Sequence, residues 1–219
     1  MRKNLIISLI FLALFLLVSI DVAFNGILVK VSHSINLAIP SVQKPIFISM
    51  AIFAHYFFGV LSMLFILLIV CVFLLVKKQK VKSIILALGT GFSALSLVVL
   101  KELFHHARPI NELILENDFS YPSGHVLMTV VFFGLLFFMN WDNLQKKGKI
   151  LAISFYILLI GAVSFSRLYL NVHWLSDVIG SIFLGLFWVS IFIYFYSLKI
   201  HKIIAEQSKR ESYLKHKAT

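Results

Sequence analysis

Long apolar segments recur along the whole chain, and they constrain its fold more than any other feature. They cover residues 5–20, 46–76, 83–105, 121–140, 150–167 and 174–197. A helix needs about 20 predominantly apolar residues to cross the hydrocarbon core of a bilayer. Of the 219 residues 60% are apolar, whereas about half is usual in soluble domains. The sequence therefore predicts an all-α polytopic membrane protein with six transmembrane helices packed in a bundle.

The first two apolar segments differ from simple membrane spans in their length or their flanking residues. The second, residues 46–76, is longer than a straight crossing requires, and we predict a short interfacial helix that is broken near Gly59. Before it, residues 30–44 are mildly polar and are predicted to form a loop closed by Pro40 and Pro45. The first segment is similar to the apolar core of a signal peptide. No small-residue cleavage site follows it, so we retain it as a span.

Basic residues are distributed unevenly between the two sides of the predicted bundle. Fifteen of the 20 Lys and Arg residues lie at the start, in the connections 77–82 and 141–149, and in the tail. Because cytoplasmic loops are enriched in Lys and Arg, these segments are predicted to be cytoplasmic, with both termini on that side. We therefore divide the chain into a six-span domain, residues 1–198, and a basic cytoplasmic tail, residues 199–219.

The remaining composition excludes several classes of function. The formal net charge of +11 does not indicate nucleic-acid binding, because the basic residues lie in short connections beside the spans. Cys71 is the only cysteine and lies within the second segment, which excludes an intrachain disulfide and a thiolate metal cluster. No motif predicts a cofactor or an obligatory protein partner.

One short stretch, residues 166–177, concentrates ionisable groups between two apolar segments. Arg167, His173 and Asp177 lie in it, at the predicted extracytoplasmic end of the bundle. Ionisable residues at membrane depth are costly and therefore indicate function. If a helix begins at Trp174, His173 and Asp177 lie on one face with their Cβ atoms about 5–6 Å apart. The carboxylate can then orient the imidazole as a nucleophile or proton carrier. The alternative is a buried pair that only tethers two helices.

Two cations lie at the end of the third segment. Lys101 and Arg108 are seven residues apart, which is two helical turns, and they are predicted to project from one helical face toward the extracytoplasmic side. No carboxylate lies one turn away, so the two charges would repel each other unless an anion lay between them. The alternative is that both side chains snorkel to lipid headgroups.

The motif Pro122-Ser123-Gly124-His125 opens the fourth segment. Proline sets a turn, glycine allows the backbone to approach a ligand closely, and free N–H groups at a helix start bind a phosphate or similar anion. Ser123 adds a hydroxyl group or simply caps the helix. His125 would then lie beside the bound anion.

Together, the three clusters predict a phosphoryl-transfer site at the extracytoplasmic face. They combine three permanent cations, helix-start amides, two histidines and an aspartate. The spacing of the carboxylates and histidines is not convincing for a metal site, so cations of the protein are expected to neutralise the phosphoryl oxygens. The residues alone do not decide between His125 and His173 as the nucleophile; only the partner Asp177 favours His173.

In their order and spacing, the three clusters resemble the three-part signature of the type 2 phosphatidic acid phosphatase superfamily. The matching residues are Lys101-x6-Arg108-Pro109, Pro122-Ser123-Gly124-His125 and Ser166-Arg167-x5-His173-x3-Asp177. The resemblance implies that His173 forms a phosphohistidine, that Asp177 orients it, and that His125 protonates the leaving group. It also implies hydrolysis without a metal or cofactor, with the phosphate held by Lys101, Arg108, Ser123, Gly124 and Arg167.

By this resemblance we expect a multi-pass lipid phosphatase of the cell membrane that removes the terminal phosphate of a lipid mono- or diphosphate. Similar bacterial proteins act on phosphatidylglycerophosphate, phosphatidic acid or undecaprenyl diphosphate, and the sequence does not choose among them. Two alternatives remain. One is a lipid phosphotransferase with undecaprenyl diphosphate as donor, and the other is a non-catalytic protein that binds or transports lipid phosphates.

Four other histidines are not assigned to the site. His105 and His106 are adjacent to it in sequence, but helical phase does not require them to face it, and they are expected to pack at the membrane interface. His33 and His55 are expected to be loop or interface residues.

Overall fold

The chain folds into a bundle of helices. The computed structural model describes residues 2–217, and no strand occurs within them. The helices are α1 Arg2–Ala23, α2 Ile27–Val42, α3 Pro45–Phe57, α4 Val60–Val76, α5 Lys80–Phe104, α6 Gly124–Phe138, α7 Lys146–Tyr169 and α8 Leu175–Lys217. A short 3-10 helix, Trp141–Asn143, lies between α6 and α7. The predicted all-α class is confirmed.

Within residues 2–217, four helical segments are long and apolar enough to cross a membrane. They are Lys3–Ala23, Lys80–Phe104, Lys146–Tyr169 and Leu175–Ile203, the last being part of α8. Helices α3 and α4 pass the same test together, but they bend by 53° at the break between them, so they form either one broken span or a re-entrant loop. Gly59 lies directly before α4, which confirms the predicted break.

The fourth predicted span corresponds to α6. Its 15 residues extend only about 22 Å at 1.5 Å per residue, which is less than the roughly 30 Å of a bilayer core. Residues 124–132 are all buried, and α6 packs against α5, α7 and α8. The described part of the chain thus has four or five candidate spans by length and composition, and the count of six stays a prediction.

The loop predicted over residues 30–44 is wrong, because most of this segment belongs to helix α2. One face of α2 is buried and packs toward α8; it carries Val29, Ser32 and Asn36 at helical spacing. Two of these three residues are polar, so hydrophobic periodicity did not reveal the helix. Pro40 lies in the last turn of α2, where its missing N–H removes one helical hydrogen bond shortly before the helix ends at Val42.

Helices α1 and α8, the first and last helices of the described residues, pack along each other. Helix α8 continues to Lys217, so no change of secondary structure marks the predicted boundary at residue 199. Helices α6 and α8 approach closely at Gly185, where a Cβ atom would lie 2.7 Å from Cβ of Val130. The absence of a side chain at Gly185 therefore permits the close packing of α8 on α6.

Candidate active site

The loop between α7 and α8 holds the predicted His–Asp pair. Asn171 has a left-handed backbone with φ of 57°, which turns the chain after α7. Asp177 lies in the first turn of α8, where its Oδ2 accepts a hydrogen bond from the Trp174 N–H at 3.0 Å. His173 Nδ1 lies 3.1 Å from the same oxygen, and both side chains are buried. The predicted pairing of His173 with Asp177 is therefore present.

Helix α2 supports this loop. Asn36 Nδ2 donates to Asn171 Oδ1 at 2.7 Å and to the His173 carbonyl at 3.0 Å. Ser32 Oγ accepts a hydrogen bond from the Ser176 N–H at 3.0 Å. The buried polar face of α2 thus holds the backbone on both sides of the His–Asp pair.

The second ring nitrogen of His173 faces a cation. With its proton on Nδ1, His173 donates to Asp177 and keeps a lone pair on Nε2. Arg108 Nη1 lies 3.4 Å from this Nε2. Burial lowers the pKa of His173 to about 4; Asp177 raises the pKa and Arg108 lowers it, but burial is the largest effect. His173 is therefore neutral at pH 7, and its Nε2 carries no proton.

Lys101 and Arg108 converge, but not as two turns of one helix. Helix α5 ends at Phe104, and His105 is left-handed with φ of 45°, so Arg108 lies in the loop that follows. The prediction that one helical face carries both cations is therefore wrong. They converge on Asp118, whose Oδ2 accepts from Lys101 Nζ at 2.6 Å and whose Oδ1 pairs with Arg108 Nη2.

The Asp118 carboxylate occupies the place that an anion was predicted to take. Its side chain is half exposed. Burial raises the pKa of Asp118, but the hydrogen bonds and charges of Lys101 and Arg108 outweigh burial and hold the pKa below its ordinary value. Asp118 is therefore an ionised group between two cations. A substrate phosphate would have to displace this side chain to reach both of them.

The start of α6 differs in part from its prediction. The Ser123 N–H donates to Ser181 Oγ at 2.7 Å, so this amide is not free for an anion. Ser123 Oγ, by contrast, is buried and has no hydrogen-bond partner within the described residues. A Cβ atom at Gly124 would lie 2.9 Å from a methyl carbon of Leu97, so glycine permits the close packing of α6 on α5.

Arg167 and His125 meet at His55, which belongs to α3. Arg167 is fully buried; its Nη1 lies 2.8 Å from His55 Nδ1 and its Nε lies 3.2 Å from Ser166 Oγ. His125 Nε2 lies 3.0 Å from the His55 carbonyl, and the two rings stack with 5.0 Å between their centroids. Within residues 2–217, Arg167 Nη2 has no hydrogen-bond partner. An unpaired buried guanidinium nitrogen is costly, so this position suits an anionic ligand.

Glu116 connects the two groups of side chains. Its carboxylate oxygens lie 3.6 Å from His55 Nδ1 and 4.0 Å from Arg108 Nη2. Arg108 also contacts His173, and Arg167 contacts His55. The structure therefore brings the predicted cations and histidines from three clusters into one continuous set of contacts.

A potential metal-binding set also lies here. His55, Glu116 and His125 offer ligand atoms that all lie within 4.8 Å of one another, and no spacing in the sequence predicts this set. Arg167, however, already contacts His55 Nδ1, and Arg108 lies 4.0 Å from Glu116. A divalent cation would thus lie against two guanidinium groups. The arrangement favours an anion over a metal ion.

The structure places two histidines at the site that the sequence analysis had left out. His106 Nδ1 lies 3.3 Å from Asp177 Oδ1, and His55 contacts Arg167 as described above. Helix α5 ends at Phe104, so helical phase does not determine where the His106 side chain lies. The position of His55 depends on the packing of α3 against α7, which no local pattern marks. The one available signal was that ionisable residues at membrane depth indicate function.

Comparisons with known proteins identify relatives of this chain. The family model for the PAP2 superfamily matches residues 82–200, which include every predicted site residue. Phosphatidylglycerophosphatase B of Bacillus subtilis (strain 168) is 32% identical over 108 residues, covering 48% of this chain and 53% of that protein. YbjG of Escherichia coli (strain K12), which carries the name undecaprenyl-diphosphatase, is 35% identical over 119 residues, covering 50% and 54%. The matches thus span about half the length of both relatives.

A solved structure has a similar fold. It is the crystal structure of a transmembrane PAP2-type phosphatidylglycerolphosphate phosphatase from Bacillus subtilis, with a TM-score of 0.74 and 22% sequence identity. The match covers 89% of this chain and 96% of that chain. At this identity the likeness shows the fold alone, and it agrees with the apolar helices of a membrane protein.

Proposed function

This chain belongs to the PAP2 superfamily, and we propose that it is a lipid phosphatase that acts at the extracytoplasmic face of the cell membrane. One observation carries the proposal. His173 is held by Asp177 through Nδ1 and presents Nε2 to Arg108 at 3.4 Å. A neutral imidazole nitrogen beside a guanidinium group is suited to attack on a bound phosphate, because the cation stabilises the charge of the phosphoryl oxygens.

The proposed phosphate-binding groups are those with unused or exchangeable hydrogen bonds. Arg167 Nη2 and Ser123 Oγ lack partners within the described part of the chain, and both are buried. Lys101 and Arg108 would exchange the Asp118 carboxylate for phosphate oxygens. The N–H of Gly124, at the first position of α6, is the helix-start amide that would donate to a phosphate oxygen.

In the proposed first step, the lone pair of His173 Nε2 attacks phosphorus, and the bond from phosphorus to the leaving oxygen breaks. Protonated His125 gives its proton to that oxygen. Asp177 stabilises the positive charge that develops on His173. In the second step water attacks the phosphohistidine, neutral His125 takes the proton of that water, and phosphate leaves with His173 restored. The reaction needs no metal, since the cations of the site stabilise the phosphoryl oxygens.

The membrane arrangement is part of the same proposal. We propose six spans with both termini in the cytoplasm and the site outside, on the basis of the basic connections and tail. The names of the relatives suggest two substrates to examine first, phosphatidylglycerophosphate and undecaprenyl diphosphate. The hydrocarbon chains of either lipid would remain in the bilayer.

Phosphate release by the purified full-length protein in detergent tests the proposal. We expect turnover of at least one lipid from a panel of lipid mono- and diphosphates, in the presence of EDTA, with inhibition by orthovanadate. His173→Ala should reduce kcat by about 10³-fold or more. Asp142→Asn, a charge change outside the site, is the matched control.

Two results would contradict this function. One is activity of His173→Ala equal to that of the wild type, which would favour a lipid-phosphate binding or transport protein. The other is loss of activity in EDTA with recovery in Mg²⁺. Transfer of the phosphate to an added lipid acceptor, without release of free phosphate, would instead identify a phosphotransferase.

A further inference from the structure

Asp177 has a second imidazole partner. Its Oδ2 accepts from His173 and from the Trp174 N–H, and its Oδ1 lies 3.3 Å from His106 Nδ1. The Asp177 side chain is fully buried, whereas that of His106 is 14% exposed. Within residues 2–217, His106 is the one side chain with a nitrogen or oxygen atom within hydrogen-bond distance of Oδ1, so each histidine pairs with a different oxygen.

The loop after α5 is built so that His106 faces Asp177. His105 has a left-handed backbone, which ends α5 directly before His106. The Ser120 N–H donates to the His106 carbonyl at 2.8 Å, and Trp174 Nε1 donates to the Ala107 carbonyl at 2.7 Å. The backbone around His106 is therefore tied both to its own loop and to the loop that carries His173.

Ser120 and Asp177 both lie within hydrogen-bond distance of His106 Nδ1. Ser120 Oγ lies 3.0 Å from His106 Nδ1 and also within 3.1 Å of the carbonyls of His106 and Ala107. A serine hydroxyl has one hydrogen, which these carbonyls can accept, and its oxygen remains an acceptor. The stronger acceptor for the N–H of His106 is the ionised Asp177 carboxylate, since charge-assisted hydrogen bonds are about twice as strong as neutral ones.

A buried carboxylate must be fixed in rotation if one oxygen is to face its imidazole partner. His173 lies on Oδ2, and a donor on Oδ1 prevents the carboxylate from turning away. We propose that His106 is a positioning residue, which donates its Nδ1–H to Asp177 Oδ1 and thereby holds Oδ2 against His173. This inference rests on the proposed function, because it concerns the orientation of the proposed nucleophile. Within residues 2–217, no hydrogen bond joins the His106 side chain to the reacting nitrogen of His173.

Three substitutions of His106 distinguish the effect of its Nδ1–H donor from the effect of its side-chain volume. In His106→Asn the side-chain amide lies where Nδ1 lies, so it can still donate to Asp177. In His106→Gln the amide lies where Nε2 lies, and in His106→Leu no donor remains. We expect kcat to fall by about 10- to 100-fold in the Gln and Leu variants, as for other partners that orient a functional side chain. KM should change by less than about twofold, and the Asn variant should retain most of the wild-type kcat.

The measurements are kcat and KM of the full-length protein in detergent, with the rate of phosphoenzyme formation in a single turnover. His105→Asn is the matched control, because the neighbouring His105 side chain is 59% exposed and asparagine tolerates its left-handed backbone. Slower phosphorylation with unchanged substrate binding supports a positioning role. Thermal unfolding of each variant shows that it is folded; if the Leu variant is not, the comparison of Asn with Gln decides the matter.

Three outcomes would overturn the inference. They are wild-type kcat in both the Gln and Leu variants, equal losses in the folded Asn and Gln variants, or an effect confined to KM. Asp177→Asn and the wild type are measured in parallel. An inactive wild type would remove the proposed function itself, whereas an active wild type, a slow Asp177→Asn and unaffected His106 variants would remove only this inference.

Discussion

The protonation state of His173 depends on burial and on two neighbours. The loss of water lowers its pKa most, Asp177 raises the pKa through a hydrogen bond and its charge, and Arg108 lowers it. The resulting value of about 4 lies well below the ordinary value of 6.5. At neutral pH the ring is therefore uncharged, and Asp177 determines which of its nitrogens carries the proton.

The pH dependence of kcat/KM tests this description of His173. Protonation removes the lone pair from Nε2, so activity should fall as the pH decreases through about 4, and not near 6.5. Asp177→Asn removes the negative charge that raises the pKa of His173. The decrease of activity at acid pH should therefore occur at a lower pH, and turnover should be slower. Rates of phosphate release between pH 3 and 8 provide the measurement. A decrease of the wild-type kcat/KM centred near pH 6.5 would contradict this description of His173.

At the scale of an element, the loop between α5 and α6 supplies both carboxylates that contact the cations of the site. Asp118 bridges Lys101 and Arg108, and Glu116 lies between Arg108 and His55. These carboxylates offset the charges of Lys101 and Arg108. Because the Asp118 side chain is half exposed, it can leave this position without the exposure of a buried core.

Removal of the Asp118 charge should strengthen phosphate binding. In Asp118→Asn the substrate no longer competes with a carboxylate, so KM and the inhibition constant for orthovanadate should both decrease. A half-exposed ion pair contributes roughly 1 kcal/mol at most, which corresponds to about fivefold in affinity. Steady-state kinetics beside Asp142→Asn, which removes a carboxylate outside the site, provide the comparison. An increased KM would show instead that Asp118 serves to order the loop.

At the scale of the whole molecule, the helices separate a basic end from the end with the site. Lys82 Nζ donates to Asn140 Oδ1 at 2.6 Å, so the connections after α4 and after α6 lie together. Helix α5 runs from this end to Lys101, which lies at the site. The two connections rich in lysine are thus at the opposite end of α5 from the proposed phosphate position.

This arrangement predicts the accessibility of single cysteines in intact cells. In a Cys71→Ser background, Asn111→Cys in the loop after α5 should react with a membrane-impermeant maleimide added outside. Lys147→Cys at the start of α7 should react only after lysis. Both positions are exposed, so burial does not confuse the comparison. Labelling of Lys147→Cys in intact cells, with none of Asn111→Cys, would invert the proposed topology.

The sequence by itself determined the properties that depend on local composition. Apolar segments specified a helical membrane protein, because a backbone in lipid must satisfy its own hydrogen bonds. The short spacing from His173 to Asp177 specified their contact, since residues four apart meet once a helix begins there. The order of the three clusters specified the family, which the match over residues 82–200 confirms.

The tertiary structure alone decided which distant groups surround those residues. Asp118 between the cations, His106 on Asp177 and His55 on Arg167 are contacts across 10 to 112 positions of the chain. The buried polar face of α2 is of the same kind, because its partners Asn171 and Ser176 come from the far end of the sequence. Such contacts arise from where a helix ends and how it packs. Those features depend on the whole bundle, and no local pattern of residue types encodes them.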